Sequence, residues 1–460
     1  VATIAMLLPS IYALDATPAL VMLAGIYYGS QYGGSTTSIL VNVPGETSSV
    51  ITALDGHQLA RRGRAGPALG IAALGSFFAG CVATLVIALF APPLAQLALR
   101  FGPAEYFSLM VLGLIAAVVL AHGSLLKAVA MVLVGLLLGL VGIDVNSGVA
   151  RFSHGVPELS DGIGFVTIAM GMFGIADIML ADVGSRTSRD VLASRIERVL
   201  PTAADLRRSI GAILRGTAVG SILGILPGGG AILSSFAAYS LEKTIGDTSQ
   251  FGRGEIRGVA APEAANNAGA QTSFIPLLTL GLPSHPVMAL MMGAMMIQGI
   301  QPGPQVMKER PELFWGMIAS MWVGNLLLII LNLPLIGIWV KVLSVPYRLL
   351  YPAILLFCGI GVFTVNNSPF DVHLMVLFAV FGVVCVKLEC EPAPLILGFI
   401  LGPLMEENLR RAMVYSTGDP TVFFTRPISL GLLLIAAALM VVVVAPAVRK
   451  RRQEAFENAA

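Results

Sequence analysis

Residues 38–50 read SILVNVPGETSSV, and the Pro-Gly-Glu at their centre interrupts an otherwise apolar run. Two helix breakers and an acid leave backbone N–H and C=O groups without helical partners. What such a break means depends on the solvent around it. The chain has 460 residues, of which 56% are hydrophobic and only 12% charged, and its mean hydropathy is +0.85. Soluble domains carry roughly 25% charged residues, so this chain lacks the polar side chains to cover a water-facing surface. Stretches 103–123, 125–142 and 427–446 are long enough to cross a hydrocarbon core, which takes about 20 apolar residues in a helix. Alternation of the barrel kind is missing from the sequence. The fold class expected is an all-α polytopic membrane protein with about ten to twelve membrane-embedded segments, several of them discontinuous helices or re-entrant hairpins.

Uninterrupted segments are expected near 67–91, 103–122, 124–143, 162–182, 313–340, 347–365, 371–387 and 427–447, and interrupted ones near 17–53, 209–242 and 263–300. The polar stretch 183–209 holds six Arg and divides the chain. The resulting organisation is a first transmembrane repeat over 1–182, a cytoplasmic Arg-rich linker over 183–209, a second repeat over 210–405, and a terminal transmembrane helix with a basic tail over 406–460. Because the chain begins at Val1, the first repeat is expected to lack its true start. Short basic loops stay cytoplasmic, which places ARRGRAG (60–66), the 183–209 stretch and VRKRRQ (448–453) inside. EENLRR (406–411) carries both signs and does not vote.

A second break answers the first. Aligning Pro44 with Pro283 sets GGSTTSILVNVPGETSSVITALDG against TSFIPLLTLGLPSHPVMALMMGA. Both read as small polar residues, an apolar stretch, a Pro followed by a small residue, and a second apolar stretch. GSFFAG (75–80) then meets ASMWVG (319–324), and SLLKAVAMVLVG (124–135) meets SPFDVHLMVLFA (368–379). Three blocks in order point to duplicated halves. The basic loop after the first break has a counterpart, QPGPQVMKERPE (301–312), whose Lys308 and Arg310 are offset by Glu309 and Glu312. That loss of basic excess fits an inverted pair of repeats.

Broken helices inside membranes are tolerated where protein or a water-filled cavity satisfies the backbone. Half-helix N-termini suit carboxylates, and exposed carbonyls and hydroxyls suit sodium. The first break offers Ser35, Thr36, Thr37, Ser38 and Asn42 before Pro44-Gly45, then Glu46, Thr47 and Ser48. The second offers Asn266, Asn267, Gln271, Thr272 and Ser273 before Gly281 and Pro283, then Ser284 and His285. A third, GILPGGGAILSS (224–235), has Pro227 and Gly228, Gly229 and Gly230. Taken singly, each Ser or Thr reads as a packing residue; the clusters flanking paired breaks read as a substrate or ion site. A Na+ site is expected near Asn42 and Asn266. Glu46 and Glu263 are membrane-embedded acids, each readable as an ion-coupling group or as a helix-start acid. Asp55-Gly56 reads as a structural turn. The four cysteines, without CxxC spacing, read as packing residues. GxxxxGK[ST], HExxH and GxSxG do not occur, so neither a P-loop ATPase nor a hydrolase is indicated. A basic nucleic-acid surface is not indicated either. No enzyme and no cofactor are expected.

Longer stretches carry a resemblance. Residues 25–77, GIYYGSQYGGSTTSILVNVPGETSSVITALDGHQLARRGRAGPALGIAALGSF, resemble a signature of the large membrane subunit of the tripartite tricarboxylate transporter family. RFSHGVPELSDGIGF (151–165), GILPGGGA (224–231), RGVAAPEAANNAGA (257–270) and PLLTLGLPS (276–284) resemble its other signatures, in family order. The likeness runs from about residue 1 to the Pro427 segment. It implies a secondary transporter of the bacterial inner membrane with a cytoplasmic C-terminus. It also implies a small membrane subunit and a periplasmic solute-binding protein as partners. The substrate implied is citrate or a related carboxylate, imported by symport with Na+ or H+ as coupling ion across the lipid bilayer. A homo-oligomer is compatible with it. The residues carried over are Gly33, Gly34, Ser35, Asn42, Pro44, Gly45 and Glu46, then Pro227 to Gly230, then Glu263, Asn266, Asn267, Gly281 and Pro283. The beginning departs from the family, which has a further Pro-Gly-rich stretch there. The alternative reading is a passive channel or scaffold that docks a binding protein.

Overall fold

A computed structural model describes residues 2–42, 45–121, 124–144, 147–180, 199–226, 230–245, 248–338 and 347–444. Within them the chain is a succession of helices. The first part comprises α1 (Ala2–Leu7), α2 (Ala16–Val41), α3 (Val50–Leu59), α4 (Ala65–Ala98), α5 (Pro103–Leu120), α6 (Leu125–Gly139), α7 (Phe165–Ala169) and α8 (Ala176–Leu180). Next come α9 (Ala203–Ile225), α10 (Gly230–Ile245), α11 (Arg257–Thr272), α12 (Phe274–Leu280), α13 (Pro286–Ile297), α14 (Gln305–Glu309) and α15 (Pro311–Asn332). The last are α16 (Tyr347–Asn366), α17 (Pro369–Lys387), α18 (Pro392–Tyr415), α19 (Val422–Thr425) and α20 (Pro427–Val444). Two two-residue strands, Gly142–Ile143 and Ala150–Arg151, pair antiparallel in a small hairpin. Among the described residues, three helical runs are long and apolar enough to span a bilayer: Thr47–Ala98, Pro311–Asn332 and Pro369–Lys387. Other apolar helices are shorter over the described residues, including Pro103–Val119, Leu125–Gly139 and Pro427–Val441.

Local chemistry explains where helices start. Thr202 Oγ1 accepts the Asp205 N–H at 3.2 Å, while Asp205 Oδ2 accepts the Thr202 N–H at 3.3 Å, a reciprocal cap that opens α9. Ser368 Oγ accepts the Asp371 N–H at 3.4 Å and caps α17 from one side, ahead of Pro369 at its first position. The expected ARRGRAG loop is a tight turn. Ala60–Arg64 form one π-type turn in which Gly63 has φ +75°, so α3 passes into α4 across a kink. EENLRR is not a loop, since it lies in the last turns of α18, where Arg410 pairs with Glu406 at 2.6 Å.

Interhelical packing relies on small residues because hydrocarbon supplies no hydrophobic drive between helices. Gly216, Gly220 and Gly224, spaced by four, form one stripe on α9 against the backbone of Ala261, Ala265 and Gly269 of α11. Gly135 and Gly139 of α6 meet Leu395 and Phe399 of α18 in the same way. α11 is the centre of the molecule, packed by α4, α9 and α10. Every residue from Gly258 to Thr272 is buried.

The ends of the bundle are chemically distinct. Arg64 pairs with Asp205 at 2.5 Å, and Gly70 abuts Val199 and Pro201, so the 60–64 turn and the start of α9 share one end. α2 finishes near this end, with His57 Nδ1 3.1 Å from the Ile39 carbonyl. α2 and α15 run parallel: Thr17 lies against Gly316, Tyr28 against Gly324, and Gly29 against Leu328. Segment 301–310, which leads into α15, therefore sits at the end where α2 begins, opposite the arginine turn. Burial alone would raise the Asp205 carboxyl, but the Arg64 guanidinium and the Thr202 hydroxyl and N–H hold it below the ordinary carboxylate range. A depressed carboxylate stabilises above its unfolded pKa and loses that contribution as pH falls through its folded one. Acidification below about pH 4 is expected to weaken this tie, and Asp205→Asn to remove that part of the acid sensitivity. Because Arg64 is half-exposed, the effect on thermal midpoints should match a pair of about 0.2–1 kcal/mol.

Candidate functional site

The second and third breaks meet against the middle of α2. α2 ends at Asn42, which adopts the left-handed conformation with φ 54°. α12 ends at Gly281, also left-handed with φ 66°. Each precedes its proline by two residues, so the paired breaks share one local geometry. At Gly281 a side chain would sit 2.5 Å from the Pro302 carbonyl oxygen, and only glycine combines this φ with that approach. After the first break the chain returns across α2. A Cβ at Gly45 would lie 2.7 Å from Gly34 Cα and 2.6 Å from Thr37 Oγ1, so two glycines let the backbones touch. Gly230, where α10 begins, has φ +52° and faces the His285 ring 2.9 Å from where a Cβ would be. His285 Nε2 in turn lies 3.0 Å from the Tyr27 hydroxyl. α2, α10 and the 281–285 break thus meet at one point.

Beside this junction runs the polar face of α11. Glu263 is wholly buried, and its Oε1 accepts the Thr52 hydroxyl at 2.5 Å. Asn267 Nδ2 donates to Ser76 Oγ at 2.7 Å and to the Glu263 carbonyl at 3.1 Å. Thr84 Oγ1 donates to Gln271 Oε1 at 2.8 Å, and Gln271 Nε2 donates to Asn325 Oδ1 at 2.9 Å, which joins α4, α11 and α15. Several buried atoms have no hydrogen-bond partner among the described residues: Glu263 Oε2, both polar atoms of the Asn266 amide, Asn267 Oδ1, Tyr32 Oη and Ser284 Oγ. An unpaired buried polar group costs roughly 1–3 kcal/mol, so these five residues are where the described interior leaves polar capacity unused.

The residues expected from sequence are distributed unequally. Glu263, Asn266, Asn267, Ser35, Ser48 and Ser284 are buried at or near the junction. Ser48 donates to Gln31 Oε1 at 2.9 Å, and Ser35 donates back to the Tyr32 carbonyl at 2.7 Å. Glu46 starts the Thr47–Ser49 turn and is half-buried; its N–H donates to Ser49 Oγ at 3.3 Å, and Ser49 Oγ donates to its carbonyl at 2.8 Å. Thr36 is buried, while Thr37 Oγ1 donates to the Gly34 carbonyl at 3.0 Å. Thr272 and Ser273 bond back to Ala268 and Gly269, and Ser273 also reaches the Gly224 carbonyl at 3.2 Å, so they hold helices together. Pro283 is buried beside the Gly281 cap. Gly33 faces outward with nothing nearby, and Asn42 and Thr47 are exposed. Asn42 acts as an exposed helix end, whereas Asn266 is wholly buried on α11. Pro44, Pro227, Gly228 and Gly229 lie outside the described residues, as does the VRKRRQ tail.

Structure adds residues that composition did not single out. Tyr27, Tyr32 and Gln31 of α2, Thr52, Ser76, Thr84 and Asn325 complete the polar interior. Part of this was legible: Gln31, Ser35 and Ser38 recur at helical spacing on α2, and Asn325 is a lone amide in an apolar run. Asp55, read as structural, accepts the Gly254 and Glu255 N–H groups at 2.8 Å each and the Tyr239 hydroxyl at 2.9 Å. Removing a buried acceptor strands three donors. Asp55→Ala is expected to lower stability by about 3 kcal/mol or more, read as a large fall in thermal midpoint in detergent. Cys81, Cys358, Cys385 and Cys390 are free thiols. Among the described residues no three His, Cys, Asp or Glu side chains cluster as metal ligands.

A protein from Agrobacterium vitis, described as an uncharacterized 52.8 kDa protein in the TAR-I ttuC' 3' region, is 57% identical over 456 residues, covering 99% of this chain and 91% of its own. Another from the same organism, described as an uncharacterized protein in the TAR-II ttuC' 3' region, is 58% identical over 238 residues, covering 52% of this chain and 98% of its own. No solved structure matches the chain. The profile of the tripartite tricarboxylate transporter TctA family matches residues 1–397, well over half the chain, and the chain belongs to that family.

Proposed function

We propose that this chain is the translocating subunit of a secondary transporter that imports an organic carboxylate. In this reading it works in the bacterial inner membrane beside a small membrane subunit, and a periplasmic solute-binding protein hands it the substrate. A Na+ or H+ gradient drives uptake. The observation that carries the reading is α11, a polar helix buried on every side whose Glu263, Asn266 and Asn267 keep unpaired atoms in the interior. Intramembrane acids and amides of this kind mark ion and substrate paths. Two helix ends, at Asn42 and Gly281, share one left-handed geometry, and discontinuous helices of this kind recur at transporter sites. The opposite placement of the 60–64 turn and segment 301–310 supports inverted halves over 1–182 and 210–405, joined by the 183–209 linker.

Uptake of radiolabelled carboxylate into proteoliposomes holding all three components tests this. Accumulation against a gradient that collapses with an ionophore is expected. Equilibration alone, indifferent to both Na+ and H+ gradients, would replace the transporter by the passive channel.

A further inference from the structure

We infer that the arginine end of the bundle is a binding surface for the phosphate groups of anionic phospholipid in the leaflet it meets. Three chain segments build this surface, and each is tied to the next. Arg64 pairs with Asp205, which joins the 60–64 turn to the start of α9. Arg208 pairs with Glu255, which joins α9 to the 250–257 segment. Arg62 Nη1 lies 3.4 Å from where a side chain at Gly254 would begin, which closes the ring back to the turn. The segments 60–64, 199–208 and 250–257 hold seven arginines against Asp205 and Glu255. Those two acids, and Asp55, which accepts the Gly254 N–H, are buried and already bonded. Arg61, Arg62, Arg207 and Arg253 are exposed and make no ion pair among the described residues. Even with all three acids counted, the surface keeps four positive charges in excess.

Position selects the ligand. α4 carries its apolar span away from the turn, and Leu200, Ile210 and Leu214 stand exposed beside the arginines. The guanidiniums therefore sit where apolar surface gives way to polar, the depth at which a leaflet presents its phosphates. Each guanidinium is a planar fork that matches a phosphate bidentately. A single dissolved anion gains little from charges this exposed. An anionic leaflet instead offers many phosphates at once, and its surface potential attracts each arginine separately. The surface lies outside the polar interior around α11, so the inference does not depend on the transport reading.

The test is retention of radiolabelled phosphatidylglycerol by the immobilised full chain, equilibrated with mixed micelles of a neutral detergent, against phosphatidylcholine in the same micelles. Saturable retention of phosphatidylglycerol in preference to phosphatidylcholine is expected, and it should weaken as KCl is raised. Arg61→Gln together with Arg62→Gln is expected to raise the half-saturating phosphatidylglycerol fraction on the order of tenfold. Adding Arg207→Gln and Arg253→Gln should raise it about tenfold again. These side chains are exposed and hold no ion pair, so elution volume should stay unchanged and separate lost binding from lost folding. Lys308→Gln together with Arg310→Gln removes as much charge at the opposite end and should leave retention as it was. The inference is overturned if the two lipids are retained alike, or if the Lys308 and Arg310 pair matters as much as the Arg61 and Arg62 pair. It is equally overturned if inorganic phosphate displaces the lipid better than KCl at equal ionic strength, which would make the surface a site for dissolved phosphate. Failed uptake with intact lipid retention would remove the transport reading and leave the surface standing.

Discussion

Gly220→Leu is expected to abolish accumulation of folded protein in the membrane. Gly220 sits in the middle of the α9 stripe, and a Cβ there would run into the backbone of Ala265 on α11. Overpacking a core ordinarily costs about 1–3 kcal/mol. Here the obstacle is main chain, which cannot turn to another rotamer, so the two helices would have to separate along their whole contact. Separation would break the Ser273 bond to the Gly224 carbonyl and shift the helix that carries Glu263, Asn266 and Asn267. Fluorescence-detected gel filtration of detergent extracts reads the result. Ala218→Leu, on the exposed side of the same helix, should elute as the unaltered protein. Equal yields of the two variants would refute the packing account.

Glu263→Gln carries the second large effect, this time on activity. The substitution keeps shape and one hydrogen bond to Thr52 but removes the only charge in the α11 cluster. In the transport reading, removing Glu263's interaction with the transported charge costs roughly 1.5–3 kcal/mol, as for hydrogen bonds to charged groups, and each 1.4 kcal/mol is tenfold. Gradient-driven uptake should fall roughly 10- to 100-fold while membrane insertion and elution volume stay unchanged. Glu46→Gln is expected to act far less, because Glu46 is half-exposed and holds its turn through its backbone. Equal losses in both variants would return Glu263 to the same standing as Glu46.

Much of the architecture was readable along the chain. Low charge and long apolar runs required a helical membrane protein, because only helices and closed barrels satisfy their backbone in lipid. Breaks near Pro44, Pro227 and Pro283 fell where α2 and α12 end and where α9 gives way to α10, since Pro and Gly act on their own local backbone. The glycine stripe of α9 emerged only from the structure, because spacing by four names no partner. Segment lengths were harder: runs such as 124–143 contain helices too short to span alone, because hydropathy reads composition and not where a helix is capped or bent.

Glu46 and Glu263 show where sequence reasoning stopped. Each is an acid in an apolar neighbourhood, and pattern treats them alike. Sequence by itself determined the solvent, the helical class, the positions of the breaks and the small residues that permit close packing, all properties of a residue and its near neighbours. Only tertiary structure decided that Glu263 is sealed among α3, α4 and α11 while Glu46 stays half-open on its turn, and that Thr52 of α3 donates to an acid 211 positions along the chain. Burial and partnership are set by helices meeting across the bundle, and no local pattern encodes which faces meet.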